Sequence, residues 1–165
     1  DFSRSHMDAT LRAVEEFGMQ AVILWPNSDA GTDEVSRSIR KFRESKPKIP
    51  CRFVKNLPMK YYIKLMQNCH CLVGNSSSGL REGAFIGTPC IDVGTRQSSR
   101  ETSKNVIRVD NNSAHILEAL KSHPNIGPKK DNLYGTGDSA SRIVSILSEI
   151  NNPNFKAQKR FFETK

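Results

Sequence analysis

Leu72-Val73-Gly74-Asn75-Ser76-Ser77-Ser78-Gly79-Leu80-Arg81-Glu82 reads as an apolar strand that breaks on glycine, passes through a serine-rich turn and opens a short helix. Ser76, Ser77 and Ser78 offer hydroxyl donors. A helix starting at Gly79 adds free backbone N–H groups and the positive end of its dipole. The natural guest of such a cradle is an anion. Serine and glycine between a strand and a helix also serve as ordinary turn and cap residues, so the stretch alone leaves both roles open.

The residues that follow tip the balance. Glu82 sits one turn into the expected helix, where its carboxylate can accept both hydroxyls of a ribose or complement the helix start. Gly87-Thr88-Pro89 supplies a glycine stop with proline beyond it, and Cys90-Ile91-Asp92-Val93 is a second apolar strand. That strand ends in Gly94-Thr95-Arg96-Gln97, which puts a guanidinium at the same carboxyl edge of the sheet. Serine, glutamate and arginine therefore converge at strand ends, the place where open α/β sheets bind ligands. Within the helix, Gly79, Gly83 and Gly87 recur every fourth residue. Such a smooth stripe implies a close approach by the sheet or by a ligand.

Strands alternate with helices along the rest of the chain. Met7, Leu11, Val14 and Phe17 keep helical spacing from Ser5 to a stop at Gly18. Ala21-Val22-Ile23-Leu24-Trp25, ended by Pro26, is a buried parallel strand by its unbroken apolar run. Asn27 and Asp29 follow it, and turn formation is sufficient reason for both. A second helix runs from Thr32 or Asp33 to Glu44, with Val35, Ile39 and Phe42 inward and Arg37, Arg40, Lys41 and Arg43 on a solvated face. Cys51-Arg52-Phe53-Val54 is a short strand, and Leu57-Pro58 starts a helix with Pro58 at its first position and Tyr61, Tyr62, Leu65 and Met66 as core candidates. Thr95 to Lys104 is a polar loop able to fold down on a bound diphosphate. Asn105-Val106-Ile107-Arg108-Val109 is the next strand, and Ser113 begins a helix through Ile116, Leu117 and Leu120. After a loop over 124–134 and the turn Gly135-Thr136-Gly137-Asp138, a last helix carries Ile143, Val144, Ile146, Leu147 and Ile150 on its packing faces. This pattern predicts an α/β fold with an open, mainly parallel sheet and helices on both faces. The expected organisation is one domain over 1–150 and a basic tail over 151–165.

The 165 residues carry 25 Lys and Arg against 17 Asp and Glu, a formal charge of +8 that suits an anionic partner. Nucleic acid is not the expected one, because the cations are scattered, aromatics make up only 7%, and no nucleic-acid-binding motif is present. Cys51, Cys69, Cys71 and Cys90 lack metal-ligand spacing and lie in or beside apolar runs, so buried reduced thiols and a cytoplasmic location are expected. No run is apolar and long enough to span a bilayer, so no membrane partner is expected. His6, His70, His115 and His123 stand apart from the cradle, and neither a catalytic triad nor a metal site can be assembled. A nicotinamide-binding module would need Gly-x-Gly-x-x-Gly after the first strand, where Pro26-Asn27-Ser28-Asp29-Ala30-Gly31 stands instead. The opening Asp1-Phe2-Ser3 is not a natural start, and an upstream part is expected.

Gly74-Asn75-Ser76-Ser77-Ser78-Gly79-Leu80-Arg81-Glu82, Gly87-Thr88-Pro89, Gly94-Thr95-Arg96-Gln97, Arg100-Glu101 and Asn105-Val106, in that order and with Pro26 to Gly31 as a second anchor, resemble the UDP-N-acetylglucosamine 2-epimerases, specifically the hydrolysing branch at the entry to sialic acid synthesis. The resemblance spans nearly the whole chain. It implies the carboxyl-terminal, Rossmann-like half of a glycosyltransferase-B type fold, with the other half missing. It further implies that Ser76 and Ser77 hold the UDP diphosphate, Glu82 the ribose and Arg96 the nucleotide, while Asn27 and Leu57 complete the pocket. The partners implied are UDP-N-acetylglucosamine or UDP, the missing half and, at full length, a second copy. No cofactor and no metal are implied, and no catalytic residue falls in this half. Animal enzymes of this branch bind a CMP-activated sialic acid as feedback inhibitor. Here Lys55 is retained, but Asp33 stands where a lysine is expected and Asn56 where a histidine is. A UDP-sugar glycosyltransferase domain, which shares the cradle and the ribose glutamate, is the alternative.

Overall fold

A computed structural model describes residues 2–27, 31–122 and 130–150. The elements in chain order are α1 (Phe2–Phe17), β1 (Ala21–Leu24), α2 (Thr32–Glu44), β2 (Cys51–Val54), α3 (Met59–Asn68), β3 (Leu72–Gly74), α4 (Ser77–Leu80), α5 (Glu82–Ile86), β4 (Cys90–Val93), β5 (Val106–Val109), α6 (Ser113–Ser122) and α7 (Ser139–Glu149). Ser28, Asp29 and Ala30 of the expected second anchor, His123, residues 124–129 of the expected loop and the tail over 151–165 lie outside the described residues. The chain divides into a unit of Asp1–Tyr134 and a second of Gly135–Lys165.

Every strand pairing is parallel, as the apolar runs and intervening helices require. The hydrogen bonds are shared between two ladders, β1-β2 and β3-β4-β5, rather than forming one continuous sheet. Packing joins them. Leu11 and Met7 of α1 sit with Ile23 and Ile39 beside the first ladder, while Ala13 and Phe17 of the same helix sit with Ile91, Val93, Ile116 and Leu120 beside the second. α3 is fastened to the larger ladder, because the Thr88 hydroxyl before β4 donates to the Met66 carbonyl at 2.9 Å. β4 is buried along its whole length and is flanked by β3 and β5, so it is the centre of the larger ladder. β4 and β5 are joined by the polar segment 94–105, which has no helix of its own yet is long enough to cross between parallel neighbours.

Local rules account for most element ends. Gly18 (φ 85) and Gly87 (φ 86) take the left-handed conformation that ends a helix without a Cβ penalty. Pro58 is the residue that caps α3 rather than its first helical position; its ψ of 140° is extended. Tyr61, expected in the core, is 58% exposed. Met66 is buried and Tyr62 half-buried, and these share one face of α3, from which Tyr61 is displaced by about 100° or more. The apolar residues of α7 also depart from expectation, with Ile143, Val144, Ile146 and Leu147 each 55–61% exposed. Among the described residues, no helix is long and apolar enough to cross a membrane.

Candidate functional site

β3 ends at Gly74, and Asn75 and Ser76 form the turn into α4. Ser76, not Gly79, is where the helix begins: its extended backbone and side chain cap α4, the Oγ accepting from Ser78 N–H at 3.3 Å. The Ser76 hydroxyl proton is left to donate. Ser77 is half-buried one residue on. Arg81 (φ −91, ψ −74) breaks the helix, so that Glu82 is the first residue of α5 rather than part of a continuing helix. Its carboxylate therefore stands at a helix start, favourable by dipole, and is half-buried.

The glycine stripe is explained by protein rather than by ligand. A Cβ on Gly79 would lie 2.2 Å from Cys90 Sγ, and one on Gly83 would lie 3.2 Å from the Ser78 carbonyl and 3.3 Å from Asn105 Nδ2. α4 thus lies flat on β4. Asn105, 5% exposed, holds it there by donating from Nδ2 to the Gly79 carbonyl at 3.0 Å and the Thr88 carbonyl at 2.8 Å.

The second strand end comes to the same edge because β4 is the parallel neighbour of β3, with Gly74 opposite Asp92. Gly94 turns at φ 85, and the loop doubles back through Ser98 N–H to Thr95 O at 3.0 Å. Gln97, 3% exposed, then donates from Nε2 to the Asn75 carbonyl at 2.8 Å. A direct bond thus joins the Arg96 turn to the serine turn. Arg96 itself is exposed. The loop expected to fold down freely is fastened along its length. Arg108 Nη2 donates to the carbonyls of Gln97 (3.0 Å) and Arg100 (2.6 Å), Ser103 Oγ donates to Asp131 Oδ2 (2.7 Å), and the Tyr134 hydroxyl donates to the Glu101 carbonyl.

Asn27 and Leu57 belong to the other ladder, following β1 and β2. Asn27 is exposed and its carbonyl accepts from Thr32 Oγ1 at the start of α2; Leu57 is half-buried just before α3. Beside them is a cavity of about 350 Å³ lined by Trp25, Arg40, Arg43, Phe53 and Lys55, with the Arg43 guanidinium 6.0 Å over the Trp25 ring. Two arginines placed on a solvated face by periodicity alone therefore border a basic, aromatic-walled hollow. Only the tertiary fold brings β1 and β2 side by side so that the ends meet. Gln97, Asn105 and Arg108, by contrast, lay within or next to quoted motifs without a role assigned to their side chains.

Of the four cysteines expected to be buried, only Cys90 is; Cys51, Cys69 and Cys71 are half-buried. All four are free; Cys90 is buried, and burial pushes the Cys71 and Cys90 thiols up to about 12. Asp131 moves the other way, pulled below the ordinary carboxylate range by the Ser103 hydroxyl and the Leu133 N–H. A carboxyl group lowered in the native state stabilises it above the unfolded value near about 4 and loses that contribution as pH falls through its native value. The Ser103 and Leu133 amide resonances are therefore expected to shift together below about pH 4, and Asp131→Asn to abolish that step. Amide NMR across pH 2.5–6 checks it, and an unchanged profile in the variant refutes it.

Comparison with known proteins fits this geometry. The sequence model of the family UDP-N-acetylglucosamine 2-epimerase matches residues 3–148. The chain is 32% identical over 158 residues to the UDP-N-acetylglucosamine 2-epimerase of Neisseria meningitidis serogroup B, covering 92% of this chain and 40% of that protein. It is 32% identical over 153 residues to the UDP-N,N'-diacetylbacillosamine 2-epimerase (hydrolyzing) of Legionella pneumophila, covering 91% and 39%. The chain thus spans about 40% of the length of these curated relatives. The UDP-GlcNAc 2-epimerase of Methanocaldococcus jannaschii shares the fold, with a TM-score of 0.64 at 17% identity over 88% of this chain and 42% of that one. Its complex with UDP-GlcNAc and UDP gives 0.60, covering 88% of this chain and 53% of that one. The open parallel architecture is that of one half of a glycosyltransferase-B type fold, and the chain belongs to the UDP-N-acetylglucosamine 2-epimerase family.

Proposed function

We propose that the chain is the UDP-binding carboxyl-terminal domain of a hydrolysing UDP-N-acetylglucosamine 2-epimerase, which converts UDP-N-acetylglucosamine and water into N-acetylmannosamine and UDP. The observation that carries the reading is the Gln97–Asn75 bond at 2.8 Å, which fastens the arginine turn after β4 to the serine turn after β3. One anion between them meets donors from both. In this assignment Ser76 and Ser77 hold the diphosphate, Arg96 adds a forked cation, Glu82 accepts the ribose hydroxyls, and Asn27 and Leu57 complete the pocket.

The reaction removes the weakly acidic C2 proton of the sugar and expels UDP in an anti elimination, giving a 2-acetamidoglucal to which water adds with inversion at C2. Negative charge grows on the diphosphate as the C1–O bond breaks, and donors fixed around it favour that charge over the ground state. The acid and base groups belong mostly to the other half and to the segment joining the two. The chain alone therefore binds UDP weakly and does not turn substrate over, and the full-length enzyme is a cytoplasmic homodimer. The hydrolysing branch is supported by the motif resemblance and by the Legionella relative, whose name carries the same chemistry. That relative, at the same 32% identity as the Neisseria one, also makes UDP-N,N'-diacetylbacillosamine the competing substrate, since the sugar faces the other half. A UDP-sugar glycosyltransferase is distinguished by requiring an acceptor for UDP release from the full-length protein.

Titration of the chain with UDP, followed by amide NMR, is expected to shift resonances from Gly74 to Glu82 and from Gly94 to Gln97 together. Glu82→Ala is expected to weaken UDP binding by about tenfold or more, the loss of charge-assisted hydrogen bonds to two hydroxyls, while leaving inorganic diphosphate unaffected. Equal loss for both ligands would assign Glu82 to the helix start instead. Release of UDP from UDP-N-acetylglucosamine by the chain alone would refute the division of labour between the halves.

A further inference from the structure

Asp92 is an expensive residue to keep. It lies in the middle of β4, fully buried, between Ile91 and Val93, which face the core, and burial pushes its carboxyl above the usual carboxylate range while Arg108 pulls it back. Its counterion is Arg108, directly opposite on β5, with Nε 3.5 Å from Oδ2. Burying the carboxylate cancels much of its attraction to Arg108, whose side chain is 38% exposed, so the pair is a poor source of stability. What the pair does achieve is to draw Nε toward the strand, so that Nη2 emerges at the loop. There Nη2 meets the carbonyls of Gln97 and Arg100.

Gln97 is then fixed twice. Its carbonyl accepts from Arg108 and from the Arg100 N–H, and its side chain donates to Asn75 in the serine turn. Arg96 is the preceding residue. Its backbone position relative to Ser76 and Ser77 follows from that double attachment.

We propose that Arg108, held by Asp92, is a positioning residue that sets the Arg96 turn against the serine turn so that the two close on the diphosphate of the bound nucleotide. This rests on the UDP assignment above. Lysine cannot substitute: a single ammonium cannot face Asp92 and also reach two loop carbonyls in the fixed fork that a guanidinium provides.

The test compares UDP with uridine, which lacks the diphosphate, on the 165-residue chain by NMR titration. Arg108→Lys is expected to weaken UDP about tenfold or more, the effect of losing a charge-assisted hydrogen bond, with uridine changed less than about twofold. In an Arg96→Ala background the same substitution is expected to add nothing, because both act on one interaction. Should Arg108→Lys fail to fold, the pair Asp92→Asn with Arg108→Met, which leaves no buried charge, gives the same comparison. Parallel losses for UDP and uridine, or losses that multiply with Arg96→Ala, overturn the positioning role while the diphosphate assignment stands. Arg96→Ala without effect on UDP overturns the diphosphate assignment of Arg96 and this role with it.

Discussion

Asn105→Ala is expected to destabilise the first unit by about 2–4 kcal/mol, the cost of leaving buried carbonyl groups without donors. Nδ2 is the side-chain donor to both the Gly79 and Thr88 carbonyls, at 3.0 and 2.8 Å, and the site is 5% exposed, so water cannot replace it without opening the structure. Asn105→Asp is expected to be worse, since it turns a donor into a carboxylate facing two carbonyl oxygens at nearly unchanged volume. Urea unfolding gives the difference directly as a shift in midpoint at constant slope. The same bonds hold α4 on β4, so weaker UDP binding is expected before unfolding sets in. A midpoint for Asn105→Ala equal to that of the unaltered chain would show that the two carbonyls find other donors.

Gly79→Ala is expected to be destabilising through a single added methyl. The added carbon would fall 2.2 Å from Cys90 Sγ and 3.3 Å from its Cβ, and Cys90 is 3% exposed at the centre of the larger ladder. Overpacking of this kind costs about 1–3 kcal/mol, partly offset by alanine's advantage of about 1 kcal/mol in a helix. The mechanism makes a sharper prediction than the magnitude. Cys90→Ala vacates the volume that the methyl needs, so the double variant Gly79→Ala with Cys90→Ala is expected to be more stable than Gly79→Ala alone. Additive losses from the two changes would mean that the methyl is resisted by something other than the sulfur. Gly87, the third glycine of the stripe, has a further reason for its identity, a φ of 86° at the end of α5.

Both variants bear on how the cradle is built. The helix start that offers Ser76 and Ser77 is too short to be stable alone, with α4 interrupted at Arg81 after a single turn. Tertiary hydrogen bonds from Asn105 and close contact with Cys90 supply what helix propensity cannot. A site assembled in this way is positioned by the sheet beneath it, as a phosphate-binding turn between parallel strands must be if its donors are to be in place before the ligand arrives.

The amino-acid sequence by itself determined the order and kind of the elements and the family. Apolar runs such as Ala21 to Leu24 and Cys90 to Val93, glycine stops at 18 and 87, and the serine turn after Gly74 are local signals, and local signals act through neighbours a few residues away. The same pattern placed Asn27, Leu57, Ser76, Ser77 and Arg96 within a few residues of strand ends, whereas Glu82 opens α5. Only the tertiary structure decided that the hydrogen bonding divides into two ladders bridged by α1, that Tyr61 and the apolar face of α7 are exposed, and that Arg40 and Arg43 border a hollow with Trp25. It alone paired Asp92 with Arg108 and Gln97 with Asn75. These depend on residues 16 and 22 positions apart being brought together by parallel strand register, a non-local contact that no window of sequence encodes.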